Sequence, residues 1–135
     1  MKRLETPRLI LRDWTEDDAE DLYRYAADPE VGPAAGWKPH ENVEESRKIA
    51  EMFIREGDVW ALEEKASGRV IGSLGIEKYN EAHYPELENL RGREIGYVLS
   101  KAYWGRGLMP EAVKAVIQYL FDTVQLDFIL VGHFD

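Results

Sequence analysis

The residues best suited to chemistry lie between positions 94 and 121, EIGYVLSKAYWGRGLMPEAVKAVIQYLF. A carboxylate, Glu94, opens a run in which Ile95, Tyr97 and Leu99 alternate with Gly96 and Val98, the period of a β-strand. The run passes into a turn carrying Gly105 and Gly107. The turn in turn passes into an apolar pattern of helical period, Ala112, Val113, Val116, Ile117, Leu120 and Phe121. Strand, glycine turn and helix together form an arrangement that receives anions. First-turn N–H groups have no intrahelical partner, and the summed peptide dipoles place partial positive charge there. Glycine lets a phosphate approach the backbone closely, and Pro110 suits the first helical turn because it has no N–H bond to lose.

Two phosphate loops are excluded by the residues around the glycines. No Lys-Ser or Lys-Thr comes after Gly107, so this is not a Walker A loop. A third glycine at dinucleotide-binding spacing is missing as well. On chemistry alone the candidate proton carriers are Glu94, His83 and His133, with Ser100 able to orient a water.

The turn resembles the acetyl-CoA signature of the GCN5-related N-acetyltransferases, Gln/Arg-x-x-Gly-x-Gly/Ala. Here the six positions are Trp104, Gly105, Arg106, Gly107, Leu108 and Met109. Gly107 matches, whereas Trp104 and Met109 depart from the pattern. The Tyr-Trp-Gly run followed by Glu-Ala, and the DPEVG segment followed by a loop with Trp and Pro-His, are similar to the RimJ/RimL-like branch of that family.

The resemblance implies a fold, a donor and a set of roles. The fold is α/β (α+β): a mixed, mostly antiparallel central sheet flanked by helices in the order β-α-α-β-β-β-α-β, without the family's last helix and hairpin. The donor is acetyl-CoA and the acceptor a primary amine, a protein N-terminus or a small molecule, attacking directly in a ternary complex. Backbone groups of Tyr97, Val98 and Leu99 are expected along the pantetheine arm, with an oxyanion donor near Val98. Residues 104–109 are expected at the diphosphate, with Arg106 adding a charged contact, and Glu94 is the expected general base. Trp37 and Tyr84 are candidate linings of the acceptor cleft. The family's leaving-group acid, a tyrosine on a later helix, has no counterpart before residue 135, and Tyr84, Tyr97 and Tyr103 do not align with it. That shortening predicts low activity, and a dimer or strand exchange through the edge formed by Phe128, Ile129 and Leu130. The alternative reading is a catalytically silent acyl-CoA-binding or interaction module.

The elements that must position these residues are legible around them. Residues 4–13 read as one strand with Leu9 and Leu11 on one face and Arg8, Ile10 and Arg12 on the other. Thr15 with Asp18 makes an imperfect capping box for a helix presenting Ala19, Leu22, Tyr23 and Ala26 and ending by Asp28. Residues 31–40 are rich in Pro and Gly and read as a loop. Asn42 with Glu45 caps a second helix carrying Ile49, Met52 and Phe53 up to about Gly57. Residues 59–64 and 69–79 pair as a hairpin through Ser67-Gly68, with Gly72 and Gly75 allowing a bulge or close backbone approach. A long loop spans 80–91, and residues 128–131 form a last strand.

Length and composition frame this as one domain spanning 1–135. With 44% apolar and 32% charged residues the chain is globular rather than disordered. The net charge of −9 argues against nucleic acid as a partner and is compatible with a cationic acceptor. No apolar run reaches membrane-spanning length, no metal is expected, and cysteine is absent. With no secretory signal at the N-terminus, a cytoplasmic location is the expectation.

Overall fold

The computed structural model describes residues 1–34, 38–77, 86 and 90–131. Six strands form one sheet in sequence order: β1 (Leu4–Glu5), β2 (Leu9–Arg12), β3 (Val59–Glu64), β4 (Val70–Glu77), β5 (Gly92–Leu99) and β6 (Phe128–Val131). All neighbours are antiparallel except β5 and β6, which run parallel and pair from Gly92↔Phe128 to Ile95↔Val131. Helices α1 (Ala19–Ala26), α2 (Val31–Ala34) and α3 (Val43–Glu56) lie between β2 and β3, and α4 (Leu108–Tyr119) lies between β5 and β6.

The period-2 pattern of the strands divides the core into two layers. On one face Leu9, Leu11, Trp60, Leu62, Leu74 and Ile95 pack against Ala112, Val116 and Leu120 of α4. On the other, Ala61, Val70 and Val98 meet Leu22, Tyr25 and Ala26 of α1 and Ala50 and Phe53 of α3. Arg12 ties this second layer to the sheet. Its guanidinium forks onto both oxygens of Asp18 at 2.9 and 3.0 Å, and its Nε donates to Glu63 at 2.9 Å. Burial pushes the Asp18 carboxyl up, but the bonds from Arg12 and the Thr15 N–H outweigh it and hold it below the usual range.

Both capping pairs form, Asn42–Glu45 at the start of α3 and Thr15–Asp18 at the 3₁₀ turn Glu16–Asp18 that leads into α1, whose own N-cap is Asp18. The Thr15 N–H donates to Asp18 Oδ2 at 2.8 Å, and Asn42 Oδ1 accepts from the Glu45 N–H at 2.9 Å. Four local expectations need correction. Residues 4–13 form two strands, because the chain turns at Thr6-Pro7-Arg8, with the Thr6 N–H donating to the Leu9 carbonyl at 2.9 Å. A 3₁₀ turn at Glu16–Asp18 precedes α1, in which Ala19, Leu22 and Ala26 are buried as expected but the fourth core position is Tyr25, with Tyr23 only partly buried. Residues 31–34, read as loop, form a helical turn, which begins with the Val31 N–H bonded to Asp28 O at 3.1 Å. After Tyr119 the helix widens into a π turn over Leu120–Val124, which rotates Phe121 out to 41% exposure while Leu120 stays buried.

Gly72 shows close backbone approach. A Cβ there would stand 2.4 Å from the Val98 carbonyl oxygen, beside a register shift between Leu62 and Glu63. No helix among the described residues is long and apolar enough to cross a membrane.

Candidate active site

A cleft of about 1200 Å³ opens along β4 and β5. Its floor is the face that carries Ser73, Gly75 and Glu77 on β4 and Glu94, Gly96 and Val98 on β5; its walls include Leu22 and Tyr25 of α1 and Ile49, Met52 and Phe53 of α3. From there it wraps round the edge of β5 past Tyr97 and Leu99 to Trp104, Gly105, Gly107 and the start of α4. The turn expected to bind an anion and the carboxylate expected to move a proton thus border one continuous space. Glu94 is the third residue of β5, which begins two residues earlier at Gly92, and Leu99 is its last; they stand ~16 Å apart at the rise of an extended strand.

The edge of β5 is open where the cleft passes it. Among the described residues β6 reaches only Ile95, whereas β4 pairs with β5 as far as Gly72↔Leu99. The Ser100 N–H donates to the Ile71 carbonyl at 2.7 Å, and this fixes the alternation of the ladder. Gly96 and Val98 turn their N–H and C=O groups toward β4, and Tyr97 and Leu99 turn theirs toward the open edge. The close Gly72–Val98 oxygen approach agrees. Val98 therefore gives the cleft its side chain, and the edge N–H groups are those of Tyr97 and Leu99. The Leu99 carbonyl is already taken by the Trp104 indole N–H at 2.8 Å.

The glycine turn has the conformation that its composition allows. Gly105 and Gly107 both sit at φ +75°, in the left-handed region, and Gly107 is the N-cap of α4. Leu108 and Met109 bury their side chains and so anchor the helix start. Pro110 falls in the first turn, as its missing N–H requires. The Arg106 guanidinium lies over the Tyr103 ring, 5.2 Å from its centroid.

At the other end the cleft is acidic. Glu77 faces Glu94 directly across the β4–β5 ladder. Burial, then repulsion from Asp58, Glu94 and Glu56, raises the Glu77 carboxyl above its ordinary value. Between this corner and Val98 the floor is bare, because Gly75 pairs with Gly96 and neither carries a side chain.

Sequence reasoning passed over four residues in or beside the cleft. Glu77 read only as the tail of a strand. Tyr25 sits buried beside Ser73 with its phenol pushed up by burial. His40, in the wall, shares a 2.7 Å hydrogen bond between Nδ1 and Ser46 Oγ, and burial lowers its pKa. Arg8 lies beside the glycine turn, 103 residues from the helix residue it bonds. The i+3 and strand-pair spacings that mark local neighbours carry no signal for such long-range contacts. Trp37, Tyr84, His83 and His133 lie outside the described residues. Among the described residues no His, Cys, Asp and Glu group could hold a metal ion.

Comparison with known proteins agrees with the geometry. The acetyltransferase (GNAT) domain pattern matches residues 8–134. N-acetyltransferase p20 of Bacillus licheniformis, itself named as uncharacterized, is 34% identical over 132 residues, covering 94% of this chain and 70% of its own length. The similarly named YoaA of Bacillus subtilis is 29% identical over 128 residues, covering 91% of this chain and 68% of its own. In fold, the chain is similar to a GNAT-family acetyltransferase from Bacillus anthracis with a TM-score of 0.81 at 21% identity, over 96% of this chain and 72% of that one. The matched span and the open, glycine-turned cleft lead to one conclusion: this chain belongs to the GNAT family of acetyltransferases.

Proposed function

We propose that the protein transfers the acetyl group of acetyl-CoA to a primary amine, with both substrates bound in the one cleft. A single observation carries this reading: the cleft runs unbroken from a helix N-terminus suited to a diphosphate to a carboxylate pair suited to an ammonium. The two ends have opposite electrostatic character, so an anionic donor and a cationic acceptor are each drawn to their own end.

In this reading the backbone of the turn, Trp104, Gly105, Arg106, Gly107, Leu108 and Met109, holds the diphosphate. The open edge of β5 takes the pantetheine amides as an added strand would, through Tyr97 and Leu99. Bound there, acetyl-CoA supplies an activated acyl carbon. An N–H from that edge meets the carbonyl oxygen as negative charge develops on it; Val98, whose own N–H is committed to β4, shapes the floor instead. Glu94 takes the ammonium proton directly or through water, since a primary amine attacks only as the neutral base. The nitrogen lone pair then forms the C–N bond, the C–S bond breaks, and the second proton that the nitrogen sheds on becoming an amide neutralises the departing thiolate. The RimJ/RimL-like features place a protein N-terminus among the acceptors to be tried first, beside small amines.

The test is a thiol-release assay with acetyl-CoA over a panel of N-terminal peptides and small amines. Amine-dependent release is the expected result. No release with any amine, despite acetyl-CoA binding, would favour a silent acyl-CoA-binding module.

A further inference from the structure

The N-terminal hairpin reaches the glycine turn through one side chain. Arg8 lies in the turn between β1 and β2. Its Nη1 donates to the Arg106 carbonyl at 2.9 Å, and its Nε donates to Glu111 Oε1 at 2.9 Å. The Arg8 backbone N–H donates to Glu111 Oε2 at 3.1 Å, and Thr6 Oγ1 donates to the same oxygen. Nη2 has no acceptor among the described residues and comes within 3.6 Å of where a Cβ on Gly107 would stand.

Glu111 is the reason this arrangement bears on function. It sits in the first turn of α4, where a carboxylate ordinarily stabilises a helix. At a helix start that also receives a phosphate, the same carboxylate repels the ligand. Partial burial pushes the Glu111 carboxyl up, but the Thr6 and Arg8 hydrogen bonds outweigh it and keep it ionised. A negative charge therefore stands beside the turn and needs a cation to cancel it. Arg106, which read as the phosphate contact in sequence, has its guanidinium over Tyr103.

We propose that Arg8 is the positioning residue of the anion-binding turn. It pins the Arg106 carbonyl so that the N–H groups of the turn face the cleft, cancels the charge of Glu111, and presents Nη2 toward a bound diphosphate. A planar fork suits this task, because it serves three directions from one fixed group. The inference rests on the reading of the turn as a diphosphate site, and the experiment separates the two.

Acetyl-CoA and S-acetylpantetheine, which carries the same thioester without a diphosphate, are titrated into the full chain and into Arg8→Ala, Arg8→Lys and Arg8→Ala/Glu111→Gln. Arg8→Ala should weaken acetyl-CoA by about 10- to 100-fold, the loss of charge-assisted hydrogen bonds, and leave S-acetylpantetheine within about 2-fold. Its KM for acetyl-CoA should rise with kcat preserved. The double variant should regain part of the loss, since the uncancelled carboxylate is gone. Arg8→Lys keeps the charge without the fork and should fall between; it carries the comparison alone should Arg8→Ala fail to fold. Equal weakening of both donors, or weakening of neither, overturns the role of Arg8. A wild-type protein that binds S-acetylpantetheine as tightly as acetyl-CoA overturns the diphosphate site itself.

Discussion

Gly96 offers a way to separate occupation of the cleft from integrity of the fold. It lies mid-strand in β5 opposite Gly75, its φ is not in the left-handed region, and a Cβ built on it meets nothing within 4 Å among the described residues. A Cβ can therefore enter without backbone strain or a clash. A strand-interior glycine is unfavourable and a β-branched residue favourable, so Gly96→Val should stabilise the protein by about 0.5–1 kcal/mol. For a chain of this size that is roughly 2–4 °C in Tm. The same isopropyl group would stand on the bare floor between Val98 and Glu94, the proposed proton acceptor. A displacement of about 1 Å there costs on the order of 10²-fold in rate. The assay is paired: thermal unfolding by circular dichroism, and kcat/KM with the best amine of the panel. A variant more stable than wild type and nearly inactive is the expected outcome. Wild-type kcat/KM would show that this floor is not where the substrates meet, and a lowered Tm would show that the space above Gly96 is filled.

Glu94→Gln should lower kcat by about 10²- to 10⁴-fold while acetyl-CoA affinity by titration stays near wild type, because the carboxylate serves the acceptor end; wild-type kcat at pH 7 would assign the proton acceptor elsewhere. Glu77 binds its proton more tightly folded than unfolded, so its contribution to stability is most favourable below the ordinary carboxyl pKa and declines as pH rises through the raised folded value. Glu77→Gln should accordingly raise Tm at pH 7 and leave it unchanged below about pH 4; a Tm gain of equal size at both pH values would mean that charge is not its cause.

How far the sequence spoke depended on the range of the interaction. Helix α3 was legible end to end because its signals are local: Asn42 caps it, Glu45 lies three residues on, and Gly57 closes it. The β5–turn–α4 unit was legible for the same reason, and its two glycines hold the φ values that glycine alone adopts freely. Errors arose at the flank of a helical stripe and where a helix departed from the regular α period. In α1 the stripe of Ala19, Leu22 and Ala26 takes in Tyr25 rather than Tyr23, and the π turn after α4 turns Phe121 out. Alternation across Thr6-Pro7-Arg8 concealed a turn, since Leu4 and Leu11 face each other in the hairpin. The parts of the site least visible in sequence were those made by tertiary contact. Nothing near Arg8 announces Glu111, and nothing in a strand ending at Glu77 announces a second carboxylate opposite it.

Acetyl-CoA is proposed to bind with its diphosphate on the turn between β5 and α4. The direct measurement is calorimetric titration of acetyl-CoA into wild type and Gly107→Val, with the fold of each checked by circular dichroism. Valine at φ +75° costs about 1–2 kcal/mol of backbone strain and puts a branched side chain where the phosphate must approach. Wild type should bind, and a folded Gly107→Val should lose at least about 10²-fold in affinity, a difference of roughly 2.7 kcal/mol. Equal affinity in the two proteins would contradict it.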